Sequence, residues 1–170
     1  KCELIGIITH GGAAILSYTQ VGEYFITGGS DCLICVWEIP TFRLVEIIDI
    51  HNFPVTALAA NEVAGVLVSM SESGEIACFN ILSLQMISYF KSFVKEGFYS
   101  LGVSNGALIA TIVTSFKHTE TEMVVFDLFG NQLFQSALSS QVVRMTEVSD
   151  LVGNDYFMIT EKTGEYVIFD

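Results

Sequence analysis

The sequence predicts an all-β fold, about four repeats of one antiparallel four-stranded sheet within a single domain. Two observations carry that reading. Apolar residues make up 51% of the 170 residues. They fall in short runs separated by turn residues, the pattern of strands buried on both faces. An aromatic also recurs in the third strand of each repeat, as Trp37, Phe79, Phe126 and Phe169, at spacings of 42, 47 and 43 residues. The loops led by His10 and His51 are 41 residues apart. A fixed period of this length marks one supersecondary unit that buries its faces by stacking on its neighbours.

Taken in order, Cys2 to Thr9 reads as the last strand of a preceding unit. The first full unit covers residues 10–50, with strand a over Ala13–Tyr18 and a turn at Gln20-Val21-Gly22-Glu23. Strand b is Tyr24–Thr27 and strand c is Leu33–Trp37, joined by Gly28-Gly29-Ser30-Asp31, whose residue types suit a tight turn. Pro40-Thr41 breaks the chain before strand d, Phe42–Ile50. The second unit, 51–91, repeats the pattern with turns at Asn61-Glu62 and Ser71-Glu72-Ser73-Gly74. The third, 98–138, turns at Ser104-Asn105-Gly106, where Asn-Gly favours a left-handed backbone, and carries a long polar loop over Thr114–Glu122. The fourth, 141–170, has three strands, Val142–Val148, Tyr156–Thr160 and Tyr166–Phe169. Because Lys1 and Asp170 both fall within a repeat, the expectation is a segment of a longer assembly, with a closed ring of four units as the alternative. Such a segment leaves apolar faces and strand edges open, so self-association is expected of it.

Composition excludes several functions. Seven Lys and Arg against 19 Asp and Glu give a net charge of −12, poor material for a nucleic-acid or anionic-membrane surface. No run of about 18 apolar residues occurs, so no membrane span is expected. Cys32 and Cys35 have C-x-x-C spacing, but no second pair follows and the chain holds three His. Cys35 belongs to a strand and Cys32 to its turn, so they should point apart and remain reduced thiols. A reducing cytoplasm suits them. No calcium loop, phosphate-binding Gly loop, metal set or catalytic carboxylate pair is present, and no cofactor is implied.

The stretch Tyr24–Glu38, ending in Trp37-Glu38 with Asp31 six residues before the Trp and Thr27 ten before it, resembles the b–c hairpin of a WD repeat. That resemblance implies a WD-repeat β-propeller of about four blades. It further implies that His10, Thr27, Asp31 and Trp37 form the structural tetrad of one blade. His10 departs from the family pattern by lying one residue nearer strand a. The second unit keeps His51 and Ser69, but Ser73 stands where the Asp would be and Phe79 where the Trp would be. His51 is therefore expected to lack a carboxylate and to sit in a loop. Several segments also resemble the C-terminal propeller of BEACH-domain proteins, the neurobeachin and lysosomal-trafficking-regulator group. They are Tyr24–Glu38, His51–Leu58, Leu67–Phe79, Leu101–Gly106 and Val125–Gly130. This resemblance implies a non-catalytic scaffold in vesicle or lysosome trafficking. It would be cytoplasmic, held at those membranes through other domains, with protein partners and an upstream BEACH domain.

In WD propellers the d–a and b–c loops share one rim. Here that rim would collect His51, Asn52, Phe53, Lys95, Lys117 and His118, with Lys91 and Lys162, and it is the expected partner surface. Mixed charge around an exposed aromatic suits a protein partner. The opposite rim holds Glu23, Glu62, Asp150 and Asp155 and no cation. A WD adaptor of an unrelated cytoplasmic complex is the alternative. A propeller enzyme is disfavoured, since the a strands offer little charge beyond Arg144 and Glu147. A β-sandwich ligand binder gives no reason for the 42–47 residue period.

Overall fold

The computed structural model describes residues 6–92, 97–115, 121–138, 142–150 and 154–169. These residues form strands and turns with no helix among them. The first sheet is β1 (Ile15–Val21), β2 (Tyr24–Gly29), β3 (Leu33–Glu38) and β4 (Arg43–Asp49). The second is β5 (Val55–Asn61), β6 (Val66–Ser71), β7 (Glu75–Asn80) and β8 (Met86–Lys91). The third is β9 (Gly97–Val103), β10 (Ile109–Ser115), β11 (Thr121–Phe126) and β12 (Gln132–Leu138). The fourth has three strands, β13 (Val142–Ser149), β14 (Asp155–Glu161) and β15 (Tyr166–Phe169). Every sheet is an antiparallel meander in chain order. The fold is thus all-β, four propeller blades in series.

The blades stack through side chains that alternate along each strand, because successive strand residues point to opposite faces. Ile26, Ile34 and Val36 of the first blade meet Leu58, Leu67 and Phe79 of the second. Val68, Met70 and Ile76 pack with Val103, Ile109 and Phe126 across the next junction. Ile112 and Met123 meet Phe157 and Ile159 across the last one. The strands β1, β5, β9 and β13 run side by side as the inner strands. Each core lies between two blades, so the faces at the two ends of the series have no neighbouring blade in the chain described.

Several sequence expectations shift here. Cys2 to Thr9 was expected as a strand; its first four residues lie outside the described ones, and residues 6–9 carry no strand. The a–b turn of the first blade is tighter than expected, because Gln20 and Val21 complete β1 and Gly22, at φ 51°, makes the turn. Strand d of the second unit, expected over Leu84–Phe90, begins at Met86, and Leu84 at φ 55° belongs to the c–d turn. Of the expected Thr114–Glu122 loop, residues 116–120 lie outside the described ones, and both ends belong to the ladder. Thr114 pairs with Thr121 and Val113 with Glu122, and Thr121 is buried.

Candidate functional site

The first blade places four polar side chains on one line. His10 precedes β1, held by a turn in which Ala13 N–H donates to the His10 carbonyl at 3.0 Å. Thr27 lies on β2, Asp31 in the b–c turn and Trp37 on β3. An indole nitrogen only donates, so Trp37 Nε1 gives its hydrogen to Thr27 Oγ1 at 2.8 Å. The Thr27 hydroxyl hydrogen then serves His10 Nε2, 2.7 Å away. That leaves the ring hydrogen on His10 Nδ1, which faces both Asp31 oxygens at 3.1 and 3.2 Å. The Thr27 hydroxyl has the Cys35 carbonyl at 3.5 Å as a second acceptor, so it is the acceptor-only Asp31 carboxylate that keeps the ring hydrogen on Nδ1. Asp31 also accepts from Leu33 N–H at 3.3 Å, which ties the network to the turn. Gly29 stands directly beneath: a Cβ there would overlap Asp31 Oδ1 and His10 Nδ1.

The second blade builds a related network from different residues. His51 Nε2 lies 2.8 Å from Ser69 Oγ. Its Nδ1 faces Glu75 Oε2 at 3.7 Å, inside ion-pair range but too long for a hydrogen bond. Glu75 accepts from Ser71 Oγ at 3.2 Å and from Asn52 N–H at 3.4 Å. Burial alone would raise the Glu75 pKa. Hydrogen bonds from the Asn52 backbone, Tyr89 and Ser71 outweigh it and hold the carboxyl below the ordinary glutamate value. The His51 pKa is lowered as well: burial lowers it, and the Glu75 charge only partly restores it. His51 does sit in the loop before β5, as expected, but the expectation that it lacks a carboxylate is corrected. His51 is 4% exposed, and Glu75, two residues past the expected turn position, supplies the charge. The sequence signal was there, a Glu at the head of strand c, but the repeat pattern drew attention to Ser73. In the third blade Thr111 takes the equivalent place on β10 and donates to the Val124 carbonyl at 3.3 Å.

Of the expected partner rim, Asn52 and Phe53 are exposed, Phe53 at 47%. His51 is buried beneath them, so its side chain is withdrawn from that rim. Lys95, Lys117 and His118 lie outside the described residues. Lys91 and Lys162 are exposed. Between inner strands, Asn61 Nδ2 donates to the Val103 carbonyl and to Asn105 Oδ1, both at 3.0 Å. Val103 N–H donates to Glu147 at 2.5 Å. Glu147, one of the two charged residues of its inner strand singled out above, therefore bridges two blades.

A His, a hydroxyl and an acid together also describe a hydrolase site. Here the Thr27 and Ser69 side chains are 0% exposed, so nothing from solvent reaches either hydroxyl. Both networks fasten loop to turn to strand. The thiols of Cys32, Cys35 and Cys78 are free, and burial first pushes each above the usual pKa, away from the reactive thiolate. Among the described residues no group of three His, Cys, Asp or Glu comes together to hold a metal.

No family model matches the chain. A probable coatomer subunit beta' of Schizosaccharomyces pombe is 23% identical over 166 residues. That alignment covers 89% of this chain and 20% of the relative, so the chain spans about a fifth of that protein. The computationally designed Ika4 protein superposes with a TM-score of 0.73 at 21% identity, over 99% of this chain and 98% of that one. The designed Ika8 protein superposes at 0.68 and 21%, over 92% of this chain and 45% of that one. A chain of a mitotic checkpoint complex superposes at 0.70 and 15%, over 98% of this chain and 53% of that one. Together with the blade geometry, these likenesses show the β-propeller fold.

Proposed function

We propose that the chain is a non-catalytic protein-interaction scaffold. On this reading it is the propeller module of a BEACH-type protein acting in vesicle or lysosome membrane trafficking. It works in the cytoplasm, beside an upstream BEACH domain, and meets those membranes through other domains. Partners dock on the rim of d–a and b–c loops. The observation that carries this is the exposed ring of Phe53, set two residues after a His that is buried and fastened. A rigid aromatic anchor beside charged neighbours is what interface hot spots use. The coatomer relative and the checkpoint neighbour are each named for a multi-protein assembly, in line with a scaffold. The buried hydroxyls of both His networks support the absence of catalysis. The trafficking role rests on the resemblance of Tyr24–Glu38, His51–Leu58, Leu67–Phe79 and the third-blade segments.

The test is affinity purification from cells of the full-length protein carrying Phe53→Ala and Lys117→Glu. Partner recovery should fall. If partners persist on that variant but are lost when Glu62 and Asp150 are changed, the docking face is the opposite rim.

A further inference from the structure

The first and second blades leave a groove at their junction, on the rim of a–b and c–d turns. Its volume is about 250 Å³, and its buried lining includes Val21 and Ile81, each 7% exposed. Tyr24 and Leu82 line it from the surface, Leu82 at 90% exposure. Both blades carry all four strands, and every residue of the groove lies within 21–82. Glu23, in the a–b turn of the first blade, and Glu62, in that of the second, also line it. Glu62 reaches across the junction: its Oε1 lies 3.9 Å from where a Cβ on Gly22 would stand. Among the described residues neither carboxylate has a hydrogen-bond or ion-pair partner. Arg43 and Lys91, the Lys and Arg of residues 6–92, are placed elsewhere. Arg43 pairs with Glu38 at 3.3 Å, and Lys91 ends β8 opposite Glu75.

The later junctions treat the same position differently. Asn61 Nδ2 donates to Asn105 Oδ1 at 3.0 Å, and Asn105 Nδ2 donates to Asp155 Oδ1 at 2.8 Å. These bonds clasp the second a–b turn to the third and the third to the fourth. Among the described residues no side-chain hydrogen bond joins the first a–b turn to the second. Two like charges beside an apolar groove stand there instead.

We propose that this groove docks a segment of a protein partner through one arginine side chain. The alkyl stem lies along Ile81 and Leu82, as long cationic side chains cover apolar surface. The guanidinium meets Glu23 and Glu62 and stacks on the Tyr24 ring. It supplies the clasp that this junction lacks. A groove of this size falls below the about 300–1,000 Å³ of small-molecule sites, so it takes a side chain rather than a cofactor. The carboxylates repel phosphates and other anions. No third metal-ligating group joins them among the described residues, so a cation on an apolar stem fits better than a metal ion. A planar guanidinium serves two carboxylates at once and stacks on an aromatic, which an ammonium does not. The site lies on the rim opposite Phe53 and does not depend on docking there.

Phage display against the 170-residue chain tests this, with a library of short peptides that hold one fixed arginine among neutral residues. Selected peptides should bind in fluorescence anisotropy. Citrulline in place of the arginine should abolish binding, and lysine should weaken it several-fold. Glu23→Gln with Glu62→Gln should weaken it by about tenfold, the loss of bonds to charged groups. Leu82→Ser should weaken it as well. All three side chains are exposed, so circular dichroism should show these variants folded. Phe53→Ala should leave binding unchanged, which separates this site from the opposite rim. Failure to select any peptide overturns the proposal, as does binding that the double Gln variant leaves intact. Equal binding of the lysine peptide, or displacement of the peptide by spermidine at matching concentration, overturns it too, because the groove would then take any amine.

Discussion

Glu75 Oε2 stands 3.7 Å from His51 Nδ1, on the side of the ring that Asp31 occupies for His10. The two carboxylates come from different places. Asp31 sits in the turn, whereas Glu75 is the first residue of β7 and its longer side chain makes up the distance. The role in the network is defined by reach, and sequence position follows from it.

Asp31→Ala removes the acceptor of the His10 hydrogen and of Leu33 N–H. It should cost about 1–3 kcal/mol, the penalty of leaving buried donors unpaired. Ser73→Ala, at the matching turn position, should cost much less, since its one described bond is to Ser71 Oγ at 3.1 Å. Glu75→Ala should fall with Asp31→Ala. Denaturant melts of the three variants check the ranking. Equal losses for Asp31 and Ser73 would remove the network from the first blade.

Stability should decline on acidification in two steps. The His51 pKa is lower folded than unfolded, so the unfolded chain takes up the proton first. The stability this gives is present above the ordinary value of 6.5 and is lost as pH falls through the folded value. Glu75, also lowered, adds stability above 4.5 that is lost below it. Melting temperature measured from pH 7.5 to pH 4 should fall throughout, and His51→Gln should flatten the upper part of that curve. An unchanged slope in that variant would assign the loss elsewhere.

Trp37→Phe copies the second blade into the first. It deletes the donor to Thr27 and should cost about 1 kcal/mol from the hydrogen bond, with some packing loss besides. Nitrogen NMR supplies the sharper measurement. Wild-type His10 should carry its hydrogen on Nδ1 and the variant should keep it there, because the Asp31 carboxylate still faces that atom; a move to Nε2 would mean that Trp37 sets the tautomer.

Gly29→Ala should destabilise by about 1–3 kcal/mol, as overpacking of a fixed site does. The new methyl would enter the space of Asp31 Oδ1 and His10 Nδ1, and both atoms are already held by hydrogen bonds. Combining it with Asp31→Ala should give less than the sum of the single effects. Additive losses would mean that Gly29 acts through the backbone alone.

The periodic parts of the molecule were readable from sequence. Strand β15 matches the expected bounds, Tyr166–Phe169, since the turn residues Thr163 and Gly164 stand before it. The place of His10 was readable too, because Thr27, Asp31 and Trp37 lie at spacings that a hairpin converts into proximity. Glu75 was hidden because its partner lies 24 residues away, and only the fold decides which acid near a turn faces the ring. The ladder through Thr114 and Thr121 was hidden for another reason. Thr is at home in strands as in polar loops, and composition alone favoured the loop.

In the first two blades the b–c ladder ends one residue beyond the network hydroxyl, at Gly28 and Met70. In the third it continues to Thr114, three beyond Thr111. At the rise of a strand, those two extra pairs lift that hairpin by roughly 7 Å. The rim is therefore stepped. On the docking reading proposed above, a partner that spans the second and third blades would need a surface stepped to match the longer ladder.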